Sequence, residues 1–158
     1  MMKKNKILVI HGPNLHLLGK REPKVYGKIG LGEINHNLKN LAKRYKVEIE
    51  IFQSNSESKI VEKITDTNYD FLIINPAAYT HTSVAIRDAI LGVNKPTVEV
   101  HLSNIYQREE FRRKSLISDI VLGVITGLKE LSYYLALEFA VHFLKKSFSR
   151  NEKNRKMR

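Results

Sequence analysis

The chain has 158 residues and 42% hydrophobic content, which suits one domain with a sizeable core. It contains no cysteine, so disulfides, thiolate metal sites and cysteine nucleophiles are excluded together. The net charge of +11 would suggest nucleic acid, but the charge sits at the ends of the chain. Residues 1–6 hold three lysines, and residues 145–158 hold seven basic residues against one acid. The body, 7–144, has 17 basic and 15 acidic residues and is nearly neutral. Polar ends of this kind read as solvated. Residues 146–158 are therefore expected to form a disordered basic tail on a single catalytic domain (1–145), and nucleic acid is not an expected partner. The apolar run after "MMKKNK" is too short for a signal sequence, and "YYLALEFAVHFL" is interrupted by Glu138 and His142 and too short to span a bilayer. The expectation is a cytoplasmic protein without membrane contact.

In chain order, "KILVI" (6–10) reads as a strand, followed by a long irregular loop and a helix near 31–45. "VEIEIF" (47–52) is a strand and "ESKIVEKITD" (57–66) a helix. "DFLIIN" (70–75) is a strand, and 82–92 a helix capped by Thr82 or Ser83. "TVEVHL" (97–102) and "DIVLGVIT" (119–126) read as strands, and 131–146 as a closing helix, apolar on more than one side. Strands alternating with helical crossovers imply an α/β domain with a parallel sheet covered on both faces. The expected fold is flavodoxin-like and doubly wound, with five strands in the order 2-1-3-4-5.

In such sheets ligands sit beyond the carboxyl ends of the strands, where the winding reverses. That directs attention to the loops 11–30, 76–82 and 103–115. These loops and the strand ends that feed them hold Asn14, Arg21, Tyr26, Asn75, His81, His101, Ser103 and Arg112. In "PTVEVHLSN" (96–104), residues two apart share a face, so Glu99 and His101 point one way and Val98, Val100 and Leu102 the other. Burying an unpartnered carboxylate or imidazole is costly, and a satisfied core pair is one explanation. A second is a general acid: a carboxylate on one ring nitrogen fixes the tautomer and favours the protonated ring. The position of His101 at a strand's carboxyl end favours the second.

The 20-residue loop 11–30 has the length of a lid or binding loop. It spaces Arg21 and Tyr26 around Pro23, which stiffens the backbone between them. A tyrosine at its reference pKa of ~10 is a poor base at neutral pH, and half-ionising it there takes about 4 kcal/mol. A guanidinium beside the phenol acts in the required direction. No P-loop and no G-x-G-x-x-G follows the first strand, and the histidines lack metal-ligand spacing. What remains is an acid/base site with no cofactor and no metal, suited to a small ligand bearing hydroxyls and a carboxylate.

The segments "GPNLHLLGKREPKVYG", "FQSNSES", "INPAAYTHTSVAIRDA" and "VEVHLSNIYQREEFRRKS", in that order, closely resemble the type II 3-dehydroquinate dehydratases over about residues 7–137. The resemblance implies anti elimination of water from 3-dehydroquinate through an enolate, in the shikimate pathway. It implies Tyr26 as base, Arg21 as its activator, Asn14 holding a water at the enolate oxygen, His101 as acid and Glu99 as its orienter. The substrate carboxylate would meet the amides of Leu102 and Ser103, and its hydroxyls Asn75, His81 and Arg112. Asp88 would come from a neighbouring subunit of a homo-oligomer, a dodecamer built from trimers. The alternative is a catalytically silent ligand-binding or regulatory protein on the same scaffold. Against the family pattern, His11 replaces the usual Asn, Ala77 a common Gly, and Lys129 another common Gly. "RRKSL" also replaces a more usual "HSY" ending. If position 77 needs a positive φ, its loop is strained or shifted.

Overall fold

The computed structural model describes residues 4–20 and 22–156. Its strands are β1 (Lys6–His11), β2 (Glu48–Gln53), β3 (Phe71–Asn75), β4 (Thr97–His101) and β5 (Gly123–Thr126). The helices are a single turn α1 (Pro23–Tyr26), then α2 (Leu31–Tyr45), α3 (Glu57–Thr65), α4 (Val84–Val93) and α5 (Leu131–Lys156). The five strands form one sheet in the order β2-β1-β3-β4-β5, and every neighbouring pair is parallel. This is the doubly wound order expected from the alternation of apolar runs and amphipathic stretches.

Alternation along the strands divides the core into two layers. Ile7, Val9, Phe71, Ile73, Val98 and Val100 pack with Ile34 and Leu38 of α2 and with Tyr133 and Leu137 of α5. Leu8, Ile10, Leu72 and Ile74 face the other way, toward Ile60 and Ile64 of α3 and Ile86 and Ile90 of α4. Helices α3 and α4 begin where hydroxyl caps stand. The Ser56 side chain accepts from the Lys59 amide, and Ser83 Oγ accepts from the Ile86 amide at 2.9 Å. Of the two caps possible for α4, the structure uses Ser83.

Two boundaries differ from the sequence reading. The run 119–126 reads as strand throughout, yet only Gly123–Thr126 pairs with β4. The apolar side chains that suggested a strand, Ile120 and Val121, pack from a turn onto the α3–α4 layer. That turn is held by Asp119, which takes two hydrogen bonds from Arg87 of α4 at 2.5 and 2.9 Å. The β4–β5 connection therefore contains two short 3-10 turns, Ile105–Gln107 and Glu110–Arg112, in place of a crossover helix. The closing helix α5 continues to Lys156, past the expected end at 146.

Candidate active site

The parallel register aligns polar residues along the carboxyl edge of an otherwise apolar sheet. His11 pairs with Gln53 on one side and Asn75 on the other, and His101 pairs with Thr126. Beyond that edge the loop after β1 crosses the loop after β3 at close range. The Gly12 amide donates to the Asn75 carbonyl at 2.7 Å, and a Cβ on Gly12 would lie 2.3 Å from the Pro76 carbonyl oxygen. Only glycine permits this approach. Asn14 follows in the left-handed region (φ 66°), with its amide donating to Asn55 Oδ1 at 3.0 Å.

These loops enclose a cavity of about 240 Å³, lined by Asn14, Tyr26, Asn75, His81, His101, Leu102, Ser103, Arg108 and Arg112 among others. Eight residues singled out from sequence thus meet at one place. Glu99 stands directly behind His101. Asp88 does not reach the cavity and lies on the exposed side of α4. Arg21 lies outside the described residues.

Glu99 is fully buried on the face shared with Leu72 and Ile74, where an apolar residue would serve packing better. Its carboxylate accepts from His101 Nε2 at 2.6 Å, Thr80 Oγ1 at 2.5 Å, Ser118 Oγ at 2.6 Å and Ser115 Oγ at 2.9 and 3.1 Å. Burial alone would raise its pKa, but the bonds from His101, Ser118 and Thr80 outweigh it and hold the carboxyl below its usual range. The group is a stabilised anion that fixes the His101 ring through Nε2 and leaves Nδ1 as the other nitrogen.

Tyr26 ends the turn α1, half-buried against the core. Arg108 Nη1 donates to its hydroxyl oxygen at 2.8 Å, and the guanidinium lies 5.3 Å from the ring centroid. His81 donates from Nδ1 to the Lys114 carbonyl at 2.7 Å, leaving Nε2 as an acceptor. Burial, with the neighbouring His101 and Arg112 charges, depresses its pKa and keeps it neutral near pH 7. Arg112 is oriented by Glu109, with Nε to Oε2 at 2.9 Å.

Asn75 is set from below. Its Oδ1 accepts from the Ala77 amide at 3.0 Å, and its amide group bonds to the buried Tyr133 hydroxyl. Tyr133 in turn donates to His11 Nδ1 at 2.7 Å, and His11 Nε2 donates to Asn35 Oδ1 at 2.8 Å. The whole chain of bonds is satisfied when His11 is neutral. Burial enforces that state and takes the pKa of His11 down to about 4. Ala77 has φ 52° and Lys129 φ 54°, so both common-glycine positions keep the left-handed backbone while carrying a side chain.

Sequence reasoning missed Arg108, the three hydroxyls around Glu99 and the His11–Tyr133 chain. Arg108 lies in the loop after β4 that also supplies Arg112, so its place at the site's edge was legible. Its reach to Tyr26, 82 residues away, was not. The hydroxyls of Thr80, Ser115 and Ser118 read from sequence as ordinary loop polarity, and only a buried carboxylate with acceptor sites to fill called for them.

Comparison with known proteins places the chain in a family. The family described as dehydroquinase class II matches residues 5–141. The 3-dehydroquinate dehydratase of Pasteurella multocida is 54% identical over 92% of this chain and all of its own length. The 3-dehydroquinate dehydratase of Francisella philomiragia is 55% identical over 87% of this chain and 95% of its own. The type II dehydroquinase crystal structure from Butyrivibrio crossotus superposes with a TM-score of 0.84 at 40% identity, covering 86% of this chain and 97% of that one. The match spans both sheet layers and all three loops that build the cavity, and so this chain belongs to the dehydroquinase class II family.

Proposed function

We propose that this protein is a 3-dehydroquinate dehydratase, a cofactor-free hydro-lyase that converts 3-dehydroquinate to 3-dehydroshikimate in the shikimate pathway. One observation carries the reading: a phenol held by a guanidinium and an imidazole held by a carboxylate open onto one small cavity. Tyr26 removes the C2 proton, and the C–H electron pair passes into the enolate of the neighbouring carbonyl. The Arg108 guanidinium steadies the phenolate that must form first, a part the resemblance also gives to Arg21. The enolate then collapses, the C1–O bond breaks, and His101 delivers a proton so that the hydroxyl leaves as water. Glu99 orients His101. Asn14 holds a water at the enolate oxygen, the amides of Leu102 and Ser103 receive the carboxylate, and Asn75, His81 and Arg112 take the ring hydroxyls.

The same reading makes the protein a cytoplasmic homo-oligomer, a dodecamer built from trimers, with residues 1–145 as its catalytic unit. Support comes from the outer face of α4, where exposed Val84 and Leu91 flank Asp88, and from a second exposed stripe, Leu131, Leu135 and Phe139, on α5. Asp88 would then enter a neighbouring subunit's cavity. The test of function is to add 3-dehydroquinate and follow the near-ultraviolet absorbance of the conjugated enone product. A rise that depends on the protein is expected, whereas binding without turnover would make it a silent member of the family.

A further inference from the structure

α1 is a single turn, too short to persist by its own hydrogen bonds. Its internal bonds use the carbonyls of Glu22 and Pro23, which accept from the amides of Val25, Tyr26 and Gly27. The next two carbonyls, of Lys24 and Val25, have no helical successor, because the chain turns away at Gly27 with φ 98°. Both are taken by one side chain: Lys129 Nζ donates to the Lys24 carbonyl at 3.0 Å and to the Val25 carbonyl. The lysine stem runs beside the exit of the turn, where a Cβ on Gly27 would meet Lys129 Cβ and Cδ at 3.9 Å. Lys129 itself sits at the corner between β5 and α5 with φ 54°, a conformation that favours glycine.

From this geometry we infer that Lys129 is a positioning residue, an ammonium strap that fastens the Tyr26-bearing turn to the β5–α5 corner and holds the phenol over the cavity. A cation against the two orphan carbonyls at the end of a helical turn complements their partial negative charge. The same backbone also ties the corner to its neighbours, with the Lys129 amide donating to the Leu102 carbonyl at 3.0 Å and the Ser132 amide to the Lys129 carbonyl at 3.2 Å, so the strap is what the side chain adds. A glycine there would relieve the strain and lose the strap. The assignment of a catalytic consequence rests on Tyr26 acting as the base. The strap itself does not.

The experiment compares wild type with Lys129→Gly and Lys129→Met in the intact protein by three readouts: the urea midpoint, amide hydrogen exchange of residues 25–27, and kcat/KM on 3-dehydroquinate. The strap predicts exchange at Val25, Tyr26 and Gly27 faster by about tenfold or more in both variants. It also predicts an undiminished midpoint in Lys129→Gly and a several-fold loss of kcat/KM. Exchange at 25–27 within about twofold of wild type in Lys129→Met would overturn it. So would a lowered midpoint in Lys129→Gly with exchange accelerated evenly over the molecule. Faster local exchange with unchanged kcat/KM would overturn the positioning role. If wild type fails to turn over 3-dehydroquinate, the dehydratase reading falls, and the exchange measurement alone still decides for or against the strap.

Discussion

Arg108 Nη1 lies 2.8 Å from the Tyr26 hydroxyl oxygen, so the loop after β4 grips the phenol carried by the loop after β1. A guanidinium in that position stabilises the phenolate and cannot lose its own proton at working pH. Tyr26→Phe keeps the ring and removes the proposed base, and is expected to lower kcat by ~10²-fold or more with ligand binding retained. Arg108→Met removes a charge-assisted hydrogen bond, and kcat/KM is expected to fall by about 10- to 100-fold. Steady-state kinetics checks both. A Tyr26→Phe enzyme with more than about a tenth of wild-type kcat would remove Tyr26 from the chemistry.

The Glu99 carboxylate accepts from four side chains that are all donors, so Glu99→Gln must turn an amide NH₂ toward at least one of them. It should weaken catalysis less than His101→Ala, because the ring remains though it is held less well. If His101 is the proposed proton donor, the two losses should not add in a double-mutant cycle, since both act through it. Fully additive losses would mean that the pair is only structural.

His11 ties acid stability to the floor of the cavity. Unfolded, its ring takes a proton near the reference value of 6.5, whereas the folded protein resists protonation down to about 4. Between those values the unfolded state binds more protons, so stability falls as pH falls, by about 3 kcal/mol across the whole window. His11→Asn should remove that part of the slope. Urea midpoints measured from pH 7 to pH 4 would check it, and identical slopes in the two proteins would exclude His11 as the source.

Ala77 holds φ 52° next to Asn75, where a β-carbon is disfavoured. Ala77→Gly is expected to stabilise the protein by about 1 kcal/mol, the left-handed penalty less the extra freedom glycine gives the unfolded chain. A raised denaturant midpoint with unchanged slope would be the sign, and a lowered midpoint would show that the loop carries no strain there.

Much of this was legible in sequence because the underlying signals are local. Alternation in "KILVI" and "DFLIIN" and helical spacing around Ile34 and Leu38 specify elements, and right-handed crossovers leave few strand orders. The pairing of Glu99 with His101 followed from the two-residue period of a strand. Contacts that depend on where loops fold back were not legible. The start of β5 was misjudged because Ile120 and Val121 are buried from a turn as readily as from a strand. Arg108 reaches Tyr26, and Lys129 the carbonyls of α1, by long side chains whose direction no periodicity specifies.

The central claim is that a base on the lid and an acid on the sheet edge remove water from opposite faces of one substrate. It is tested most directly with 3-dehydroquinate stereospecifically deuterated at C2, one preparation for each position, with the deuterium content of the product read by mass spectrometry. Anti elimination predicts that deuterium is lost from the position anti to the C1 hydroxyl and kept at the syn position. It also predicts that borohydride added during turnover leaves activity intact. Loss of the syn deuterium, or inactivation by borohydride in the presence of substrate, would contradict the account and point to a covalent lysine intermediate.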